Sequence, residues 1–316
     1  MSMYPLPATD YVGVDVAKDS LAVCSTLAAK VVNVPNCPQA MDSWLAGLPA
    51  GVHLLCEATG RHHRLLQQRC ALNAIALTCL NPAQVRAFAK SLGTLEKTDP
   101  IDARVLLRLG IEGHPAPSPV PSDALRRLGD LLMARHAIVE QISAFDMRNN
   151  LLSARSALQL KRVVRALRSH RLALELDLQA WLYSEQAAPW LERIHTLCFA
   201  PGVGILSALS LIAYLPELGS LNRRQIAKLA GLAPLPWDSG KLKGLRIIQG
   251  GRAPARRVLY QCAMVAARWH EPSRLHYQQL RARGKPPTVA YVAIARKLLI
   301  FLNSLLRPAY AAALPS

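Results

Sequence analysis

The order of strand and helix signals in the first 115 residues constrains the fold of this chain most strongly. Three short apolar runs come first, separated by turn residues, and predict strands that follow one another as hairpins. Two more apolar runs follow, and segments that alternate with them predict helices. The predicted strands are 11–17, 21–27, 30–35, 52–58 and 75–80, and the predicted helices are 39–46, 61–70, 82–90 and 100–109.

Three meandering strands followed by alternating helix and strand is the order of an RNase H-like (RuvC-like) fold. A doubly wound nucleotide-binding fold begins instead with strand, helix and strand. We therefore expect an α/β RNase H-like N-terminal domain over residues 1–115.

The remaining two thirds of the chain predict helices. A proline-rich stretch over residues 112–123 predicts a linker, and residues 130–188 contain neither glycine nor proline. Their apolar residues recur at three- and four-residue steps, which predicts long helices in a hairpin or coiled coil. We expect a helical connector over 116–188 and a mainly α-helical domain over 189–316.

Charge is distributed unevenly between these regions. The whole chain has a formal net charge of +18. Residues 1–115 hold 10 Lys and Arg against 9 Asp and Glu, a net of +1, which leaves 28 against 11, a net of +17, for residues 116–316. This asymmetry favours a polyanionic partner, nucleic acid before membrane, over a merely basic protein.

Cysteine spacing and hydropathy limit the other classes of protein. The seven cysteines include no CxxC pair and match no zinc pattern, so we expect free thiols. We recognise no signal peptide and expect the chain in the reducing cytoplasm. The longest apolar run, Val203 to Leu215, is too short to span a bilayer, so no membrane partner is expected.

Four acidic residues of the predicted N-terminal domain form a candidate metal site: Asp15 in the first strand, Glu57 at the end of a later strand, and Asp99 and Asp102 at a helix start. An aspartate inside an apolar strand is disfavoured unless it has a purpose. Converging carboxylates are the oxygen ligands that Mg²⁺ prefers, and either one or two ions would fit.

Each carboxylate also has a structural interpretation. Asp99 alone is a suitable helix N-cap, and Asp102 interacts favourably with a helix dipole. A strand-end Glu57 is also compatible with simple solvation.

Two segments outside the acidic set have features of nucleic-acid binding. From Arg148 to Arg171, both included, there are seven basic residues and no acidic ones. We predict that Lys161, Arg165 and Arg168, which share one helix face, contact phosphates, although a solvated face is the alternative. In PGVG, Gly202 and Gly204 precede an apolar helix, as in helix-hairpin-helix elements that bind a phosphate, or as in a plain turn.

Ser239 lies in the most informative stretch of the C-terminal region, between Asp238 and Gly240. An exposed serine on a cationic, glycine-rich loop is a candidate nucleophile for a phosphodiester, with guanidinium groups stabilising the anionic transition state. An ordinary Ser–Gly turn is the alternative. The cations that accompany it are Lys241, Lys243, Arg246, Arg252, Arg256 and Arg257.

Taken in order, these motifs resemble those of the DEDD-type transposases of insertion-sequence family IS110, in particular its subgroup IS1111. The segments GVDVAKD, CEATG and KTDPIDA resemble the RuvC-like nuclease motifs of that family. The segments PGVG, GLAP, DSGKLKG and GGR resemble its C-terminal transposase domain, and GKPPTVAYVAIARKLL resembles the ending of the subgroup.

The resemblance implies a complete mechanism. It implies that Asp15, Glu57, Asp99 and Asp102 are the catalytic, metal-binding tetrad and that Ser239 forms a covalent linkage with DNA. It further implies a structured RNA, encoded by the element, that guides donor and target DNA. The expected assembly is a dimer or a dimer of dimers, associated with the bacterial nucleoid, in which the carboxylates of one protomer complete the serine site of another.

Two alternatives remain open from the residues. One is a RuvC-like structure-specific endonuclease that hydrolyses DNA with its carboxylates while Ser239 is passive. The other is a non-catalytic nucleic-acid-binding protein that retains the fold alone. A trapped serine–DNA adduct would separate transposase from nuclease, and metal-dependent DNA breakage would exclude the non-catalytic protein.

Overall fold

A computed structural model describes residues 10–26, 28–58, 60, 62–94, 96, 98–149, 152–235 and 246–307. The chain divides into two compact units, Met1–Val120 and Pro121–Ser316. The break falls inside the predicted proline-rich stretch. The three-part assignment of residues 1–115, 116–188 and 189–316 stays a prediction.

The first unit is built on a mixed five-stranded sheet with the order β3-β2-β1-β4-β5. Its first three strands form an antiparallel meander, and β4 and β5 run parallel to β1. This topology fits the predicted RNase H-like domain. The strands are β1 (Tyr11–Val16), β2 (Ser20–Ser25), β3 (Ala28–Pro35), β4 (His53–Glu57) and β5 (Ala76–Leu80).

Helices cover both faces of this sheet. On one face, the alternate residues Val12, Val14 and Val16 of β1 pack with α1 and α2. On the other face, Tyr11 and Leu55 pack with α3 and α4. The pattern follows from the two-residue period of a strand. The helices are α1 (Pro38–Ala46), α2 (His63–Leu72), α3 (Pro82–Ser91) and α4 (Asp99–Gly113).

The proline-rich stretch begins as part of this unit. The backbone N–H of Ser118 donates to the carbonyl of Leu77 at 2.8 Å, and the Ser118 hydroxyl accepts from the N–H of Cys79 at 2.9 Å. The Thr78 hydroxyl donates to the carbonyl of Ala116 at 2.9 Å. Residues 116–118 therefore cover the edge strand β5, whose backbone groups would otherwise be open to pairing.

The second unit begins with the long helices that the sequence predicts, α5 (Asp123–Asn149) and α6 (Ala154–Leu182). They form an antiparallel hairpin, because Arg135 pairs with Glu175 at 2.6 Å while Arg168, earlier in α6, pairs with Asp146, later in α5, at 3.1 Å. The hairpin alternative is therefore confirmed, and coiled-coil packing of these helices stays a prediction.

The rest of the second unit is helical, as predicted, around a core formed largely by α8, α10 and α12. Buried Asn303 of α12 closes it by accepting from the N–H of Gly219 at 2.9 Å and donating to the carbonyl of Leu221 at 2.8 Å. A short antiparallel pair, β6 (Pro234–Leu235) and β7 (Ile247–Ile248), interrupts the helices. A 3₁₀ helix over Glu185–Trp190 comes before the six α-helices described in this region. The six helices are α7 (Leu191–Cys198), α8 (Ile205–Tyr214), α9 (Arg223–Leu229), α10 (Ala253–Trp269), α11 (Glu271–Ala282) and α12 (Pro287–Leu305).

Among the described residues, α12 alone is long and apolar enough, by length and composition, to cross a membrane. Its mean hydropathy is 1.5, and 44% of its apolar stretch is buried inside the protein. Ile294, Leu298, Leu299 and Leu302 lie in the core of the second unit. A helix in the core of a folded protein can be equally long and apolar, so α12 is weak evidence for a membrane span.

Candidate active site

Asp15 lies near the end of β1, half-buried between two buried valines. Residues two apart on a strand share a face, so Asp15 lies on the same side of the sheet as Gly13. That side is covered by α4: a Cβ atom at Gly13 would overlap the carbonyl oxygen of Ala103 and the backbone nitrogen of Leu107. Gly13 therefore permits α4 to approach the strand closely.

Glu57 lies beside Asp15 on the same face. In the parallel pairing of β1 and β4, Gly13 is opposite Leu55, so Asp15 is opposite the position of Glu57, two residues further along each strand. Glu57 is the last residue of β4 and is half-buried. The two carboxylates come from the carboxyl-terminal ends of neighbouring parallel strands. This end of the sheet is called the acidic edge.

Asp99 and Asp102 occupy the first turn of α4. Asp102 immediately precedes Ala103, the residue that meets Gly13. Thr98 is the residue at the N-cap, with extended backbone dihedrals, so the alternative of Asp99 as N-cap is wrong, whereas the first-turn placement of Asp102 is confirmed. The close packing of α4 on Gly13 thus brings both aspartates near Asp15, at the acidic edge.

The electrostatics of Asp15 show that the four carboxylates share one neighbourhood. Burial, and after it the charges of Asp99, Asp102 and Glu57, together raise the pKa of Asp15 from 3.8 to about 6. A backbone hydrogen bond from Val16 acts in the opposite direction. Like charges held together in a partly buried site disfavour ionisation, and a bound cation would reverse that penalty.

The donor set suits a hard divalent cation, because it consists of carboxylate oxygens from two strands and one helix. Within the described part of the chain, no three His, Cys, Asp or Glu side chains are already arranged around one metal position. Asp99 is exposed, and the other three carboxylates are half-buried. The four carboxylates therefore lie near one another, partly accessible to solvent, without forming a closed cage.

Residues that the sequence did not single out also lie near this edge. Arg104 follows the acidic turn of α4 and hydrogen-bonds the thiol of Cys24 on β2, while burial raises the pKa of that thiol. Cys56 precedes Glu57 and donates to the sulfur of Cys79 at 3.7 Å. Sequence spacing contained no signal for these contacts, because both pairs join residues on different elements.

The candidate serine lies outside the described residues, as do Asp238, Lys241 and Lys243. The segment 236–245 that contains it is bracketed by β6 and β7, in which Pro234 pairs with Ile248 and Leu235 with Ile247. The structure therefore describes the base of this segment, which is formed by β6, β7 and the turns next to them.

Arg252 anchors that base. It donates to both carboxylate oxygens of Glu217 at 2.6 Å and to the carbonyl of Tyr214 at 3.0 Å. A Cβ atom at Gly251 would overlap the backbone of Gly231, and both glycines have positive φ angles, 68° and 69°. These contacts hold the GLAP and GGR turns together at the two ends of the bracketed segment.

Two of the remaining predicted cations are also engaged within the unit. Arg256 donates to the carbonyl of Gly250 at 2.6 Å, and Arg257 pairs with Glu140 at 3.2 Å. Arg246 is exposed and immediately precedes β7. Their roles as nucleic-acid contacts stay predictions.

The PGVG segment joins α7 to α8. Gly202, with φ of 78°, packs so closely on α10 that a Cβ atom would overlap the carbonyl of Cys262. Gly204 is the N-cap of α8, and nothing lies within 4 Å of the position that a Cβ atom would take there. Gly202 therefore has a packing role, and only Gly204 leaves space for an approaching phosphate.

The predicted phosphate stripe is exposed on α6: Lys161, Arg165 and Arg168 all lie at the surface. Arg168 pairs with Asp146 across the hairpin at 3.1 Å. The structure therefore places the three side chains where a phosphate could reach them, with Arg168 already engaged by a carboxylate.

Comparison with known proteins agrees with this arrangement. Residues 12–154 match the DEDD transposase family of IS110, and residues 194–278 match the family described as Transposase IS116/IS110/IS902. Pilin gene-inverting proteins of Moraxella bovis and Moraxella lacunata are 25% and 26% identical over 309 residues, 94% of this chain and 95% of each relative. The uncharacterized 43.6 kDa protein of insertion element IS110 from Streptomyces coelicolor is 27% identical over 210 residues, 62% of this chain and 50% of that protein.

The two matched regions contain the acidic edge and the bracketed serine segment respectively, in the order that the sequence motifs predict. The chain therefore belongs to the IS116/IS110/IS902 family of transposases and is a DNA transposase or recombinase.

Proposed function

We propose that this transposase cuts and rejoins DNA with two sets of residues: Asp15, Glu57, Asp99 and Asp102, which hold Mg²⁺, and Ser239, which is the nucleophile. The observation that carries the proposal is the shared neighbourhood of the four carboxylates: after burial, it is the charges of the other three that raise the pKa of Asp15. A fold that places like charges together at the cost of their ionisation indicates a cation-binding function.

Mg²⁺ at this edge would supply positive charge to the attacking and leaving oxygens of a phosphodiester. Asp15 and Glu57 are placed on neighbouring strands, which gives two ligands on a rigid support. Asp99 and Asp102 add two ligands from a helix whose position is defined by Gly13.

Ser239 would attack a DNA phosphorus atom through its side-chain oxygen. The bond between the serine oxygen and phosphorus forms as a phosphorus–oxygen bond of the DNA backbone breaks. The serine proton passes to a general base, and the released DNA oxygen takes up a proton and becomes a free hydroxyl group. A DNA hydroxyl then attacks the same phosphorus, which restores the phosphodiester and releases the serine. No net hydrolysis occurs, so the cut strands can be rejoined in a new arrangement.

A relative that inverts a pilin gene supports rejoining over simple cutting. Inversion of a DNA segment needs both of its ends to be cut and rejoined. A hydrolytic nuclease would leave the ends open. The similarity along 94% of this chain extends over both proposed catalytic regions.

We further propose that a structured RNA guides the choice of donor and target DNA. Its support is the resemblance to the family and the cationic composition of residues 116–316. Phosphate contacts position a nucleic acid without reading its sequence, so base pairing by a guide would supply the specificity. Gly204 at the N-cap of α8, in the helix-hairpin-helix-like element, is a candidate phosphate contact.

The first test separates the two catalytic sets. Asp102→Ala and Ser239→Ala should each abolish recombination, by at least about 10³-fold, while nucleic-acid binding persists. Denaturing gel analysis of labelled DNA should show a covalent protein–DNA adduct with the wild type and none with Ser239→Ala. Wild-type cleavage by Ser239→Ala without an adduct would instead support the hydrolytic nuclease.

The second test concerns the proposed sharing of the sites between protomers. Mixing the two inactive variants, Asp102→Ala and Ser239→Ala, should restore single-strand cleavage, because some mixed assemblies then contain one intact set. Each variant assayed alone at the same total concentration is the control. Absence of cleavage in mixtures that are shown to contain both chains would contradict sharing.

The third test addresses guidance directly. RNA that co-purifies with the protein should be a defined transcript of the element, and replacing its pairing segment should redirect insertion. Insertion at an unchanged site after that replacement would overturn RNA guidance and leave the transposase activity standing.

A further inference from the structure

Two thiols face each other directly behind the acidic edge. Cys56 of β4 and Cys79 of β5 are opposite one another in the parallel register, so their side chains lie on the same face of the sheet. Their sulfur atoms are 3.7 Å apart. Both are free thiols, with Cys56 buried and Cys79 partly exposed.

The backbone spacing permits a bond between them. Neighbouring strands lie about 4.7–4.9 Å apart, and disulfides join Cα atoms about 4.4–6.8 Å apart. The sulfur atoms would have to close from 3.7 Å to a bond length of about 2.05 Å, which side-chain rotation and a small approach of the strands can supply. Because the Cys79 sulfur is partly exposed, a reductant can reach such a bond, as it reaches labile, regulatory disulfides.

We propose that Cys56 and Cys79 form a reversible disulfide when the protein meets a peroxide. Cys79 reacts first because its side chain is accessible: its sulfur takes one oxygen atom from hydrogen peroxide, giving a sulfenic acid and one water. The Cys56 sulfur then attacks the Cys79 sulfur and displaces the second water. Each thiol loses one hydrogen atom, and a dithiol reductant reverses the reaction.

The disulfide would act on the proposed metal site, and this part of the inference rests on the proposed function. Cys56 is bonded to Glu57, and the next residue, Ala58, donates to the carbonyl of Leu80 at 2.9 Å. Pulling the ends of β4 and β5 together therefore displaces the Glu57 carboxylate. Displacement of a metal ligand or its support lowers affinity by about 10–100-fold.

The covalent step is tested on the full chain without reference to activity. Mild hydrogen peroxide should reduce the number of titratable thiols from seven to five, a loss of two. Peptide mass mapping should find Cys56 linked to Cys79, and dithiothreitol should restore both thiols. Cys79→Ser and Cys79→Ala should each prevent the cross-link.

Cys70 provides the matched control, because it is a buried thiol on α2, in the same core as Cys56. Cys70→Ser should leave the cross-link intact. A Cys70–Cys79 linkage, or oxidation of Cys79 to a sulfinic acid without any cross-link in folded wild-type protein, would overturn the proposal.

The regulatory step is tested by Mn²⁺ binding and by recombination. Oxidised wild type should bind Mn²⁺ about tenfold more weakly and recombine correspondingly less, while Cys79→Ser should be unaffected by peroxide in both assays. A disulfide that forms without changing Mn²⁺ affinity would overturn the switch. Failure of the reduced wild type to bind Mn²⁺ at all would instead count against the proposed function.

Discussion

The acidic site of the first unit and the helices of the second unit arrange their charged side chains in opposite ways. At the acidic site of the first unit, the fold gathers like charges: burial raises the pKa of Asp15, and the charges of Glu57, Asp99 and Asp102 raise it further. In the second unit, the fold pairs opposite charges, as in Arg135–Glu175, Arg168–Asp146, Arg252–Glu217 and Arg257–Glu140.

This difference separates two uses of charge. Paired charges hold helices and turns in place and are satisfied without a ligand. Gathered charges cost stability until a cation arrives, so they indicate a binding site. The number of cations in the second unit therefore overstates its free binding capacity, because several described arginines already have carboxylate partners.

The largest effect is expected from Gly13→Ala, which disrupts the contact between β1 and α4 that brings the acidic residues together. A methyl group there would overlap the backbone of α4, which cannot move aside like a side chain. We expect a loss of about 3 kcal/mol in the free energy of unfolding and loss of recombination. Urea unfolding measures the first quantity.

Gly129→Ala is the matched control for this substitution. Gly129 lies inside α5, and nothing is within 4 Å of its Cβ position, so alanine should stabilise the helix by about 1 kcal/mol. Equal unfolding free energies for Gly13→Ala and wild type would show that α4 is not held against β1 as described.

The next effect is expected from Arg252→Ala, which breaks a pair in the second unit. Glu217 keeps only 17% side-chain exposure, so removing the bidentate guanidinium leaves a poorly solvated carboxylate. We expect a loss of about 2 kcal/mol after allowance for partial exposure of the pair. Thermal and urea unfolding check it.

Arg252→Lys should recover only part of this stability, since an ammonium group cannot make the two parallel hydrogen bonds. The affinity for nucleic acid per folded molecule should change less than the stability. A large loss of affinity with unchanged unfolding would mean that Arg252 contacts nucleic acid, as the sequence predicts, more than it holds the turn.

Asp15→Asn should stabilise the metal-free protein at neutral pH while abolishing recombination. The pKa of Asp15 in the folded protein, about 6, lies above its usual 3.8, so ionisation opposes folding as the pH rises through 6. The difference corresponds to at most about 3 kcal/mol, and solvent screening at this half-buried site reduces it to about 1–2 kcal/mol.

Urea unfolding in a chelator measures this effect at two pH values. The advantage of the asparagine variant should be largest near neutral pH and shrink towards pH 4, where Asp15 of the folded wild type is protonated. Added Mg²⁺ should reverse the order by stabilising only the wild type. If the asparagine variant is less stable than the wild type in chelator at neutral pH, the ionised Asp15 carboxylate does not destabilise the metal-free protein as described.

The smallest effects are expected on the α6 stripe. Arg165→Ala and Lys161→Ala should leave stability within about 0.5 kcal/mol of wild type, because both side chains are exposed. Each should reduce the slope of log affinity against log salt by about 0.9 if it contacts a phosphate. Fluorescence anisotropy with labelled RNA or DNA at several salt concentrations measures the slope.

Arg168→Ala is the internal comparison on the same face. Because Arg168 already pairs with Asp146, its phosphate contact must compete with that carboxylate, and we expect a smaller change in slope. Reversing all three charges should weaken binding without moving the insertion site, since phosphate contacts do not read sequence. A flat salt dependence of the wild type would contradict the stripe as a binding surface.

Much of the local structure is predictable from the sequence. Short apolar runs bounded by turn residues identify all five strands of the first sheet within a few residues, and the span without glycine or proline identifies α5 and α6. These signals are local, because they depend on the repeat of the strand or helix. The placement of Glu57 at a strand end and of Asp99 and Asp102 at a helix start is confirmed in the same way, whereas Asp15, which the sequence predicts mid-strand, lies one residue before the end of β1.

The tertiary structure decides which of these residues meet. Gly13 and Ala103 are far apart in sequence, yet their contact sets the distance between α4 and β1 and hence the surroundings of Asp15. The same applies to the edge of β5 covered by residues 116–118, to the Arg252–Glu217 pair and to the two thiols at 3.7 Å. Composition and spacing determined the elements and the kinds of side chain they present. Burial, pairing and the pKa of Asp15 depend on distances between separate elements, which only the packing of the folded chain defines.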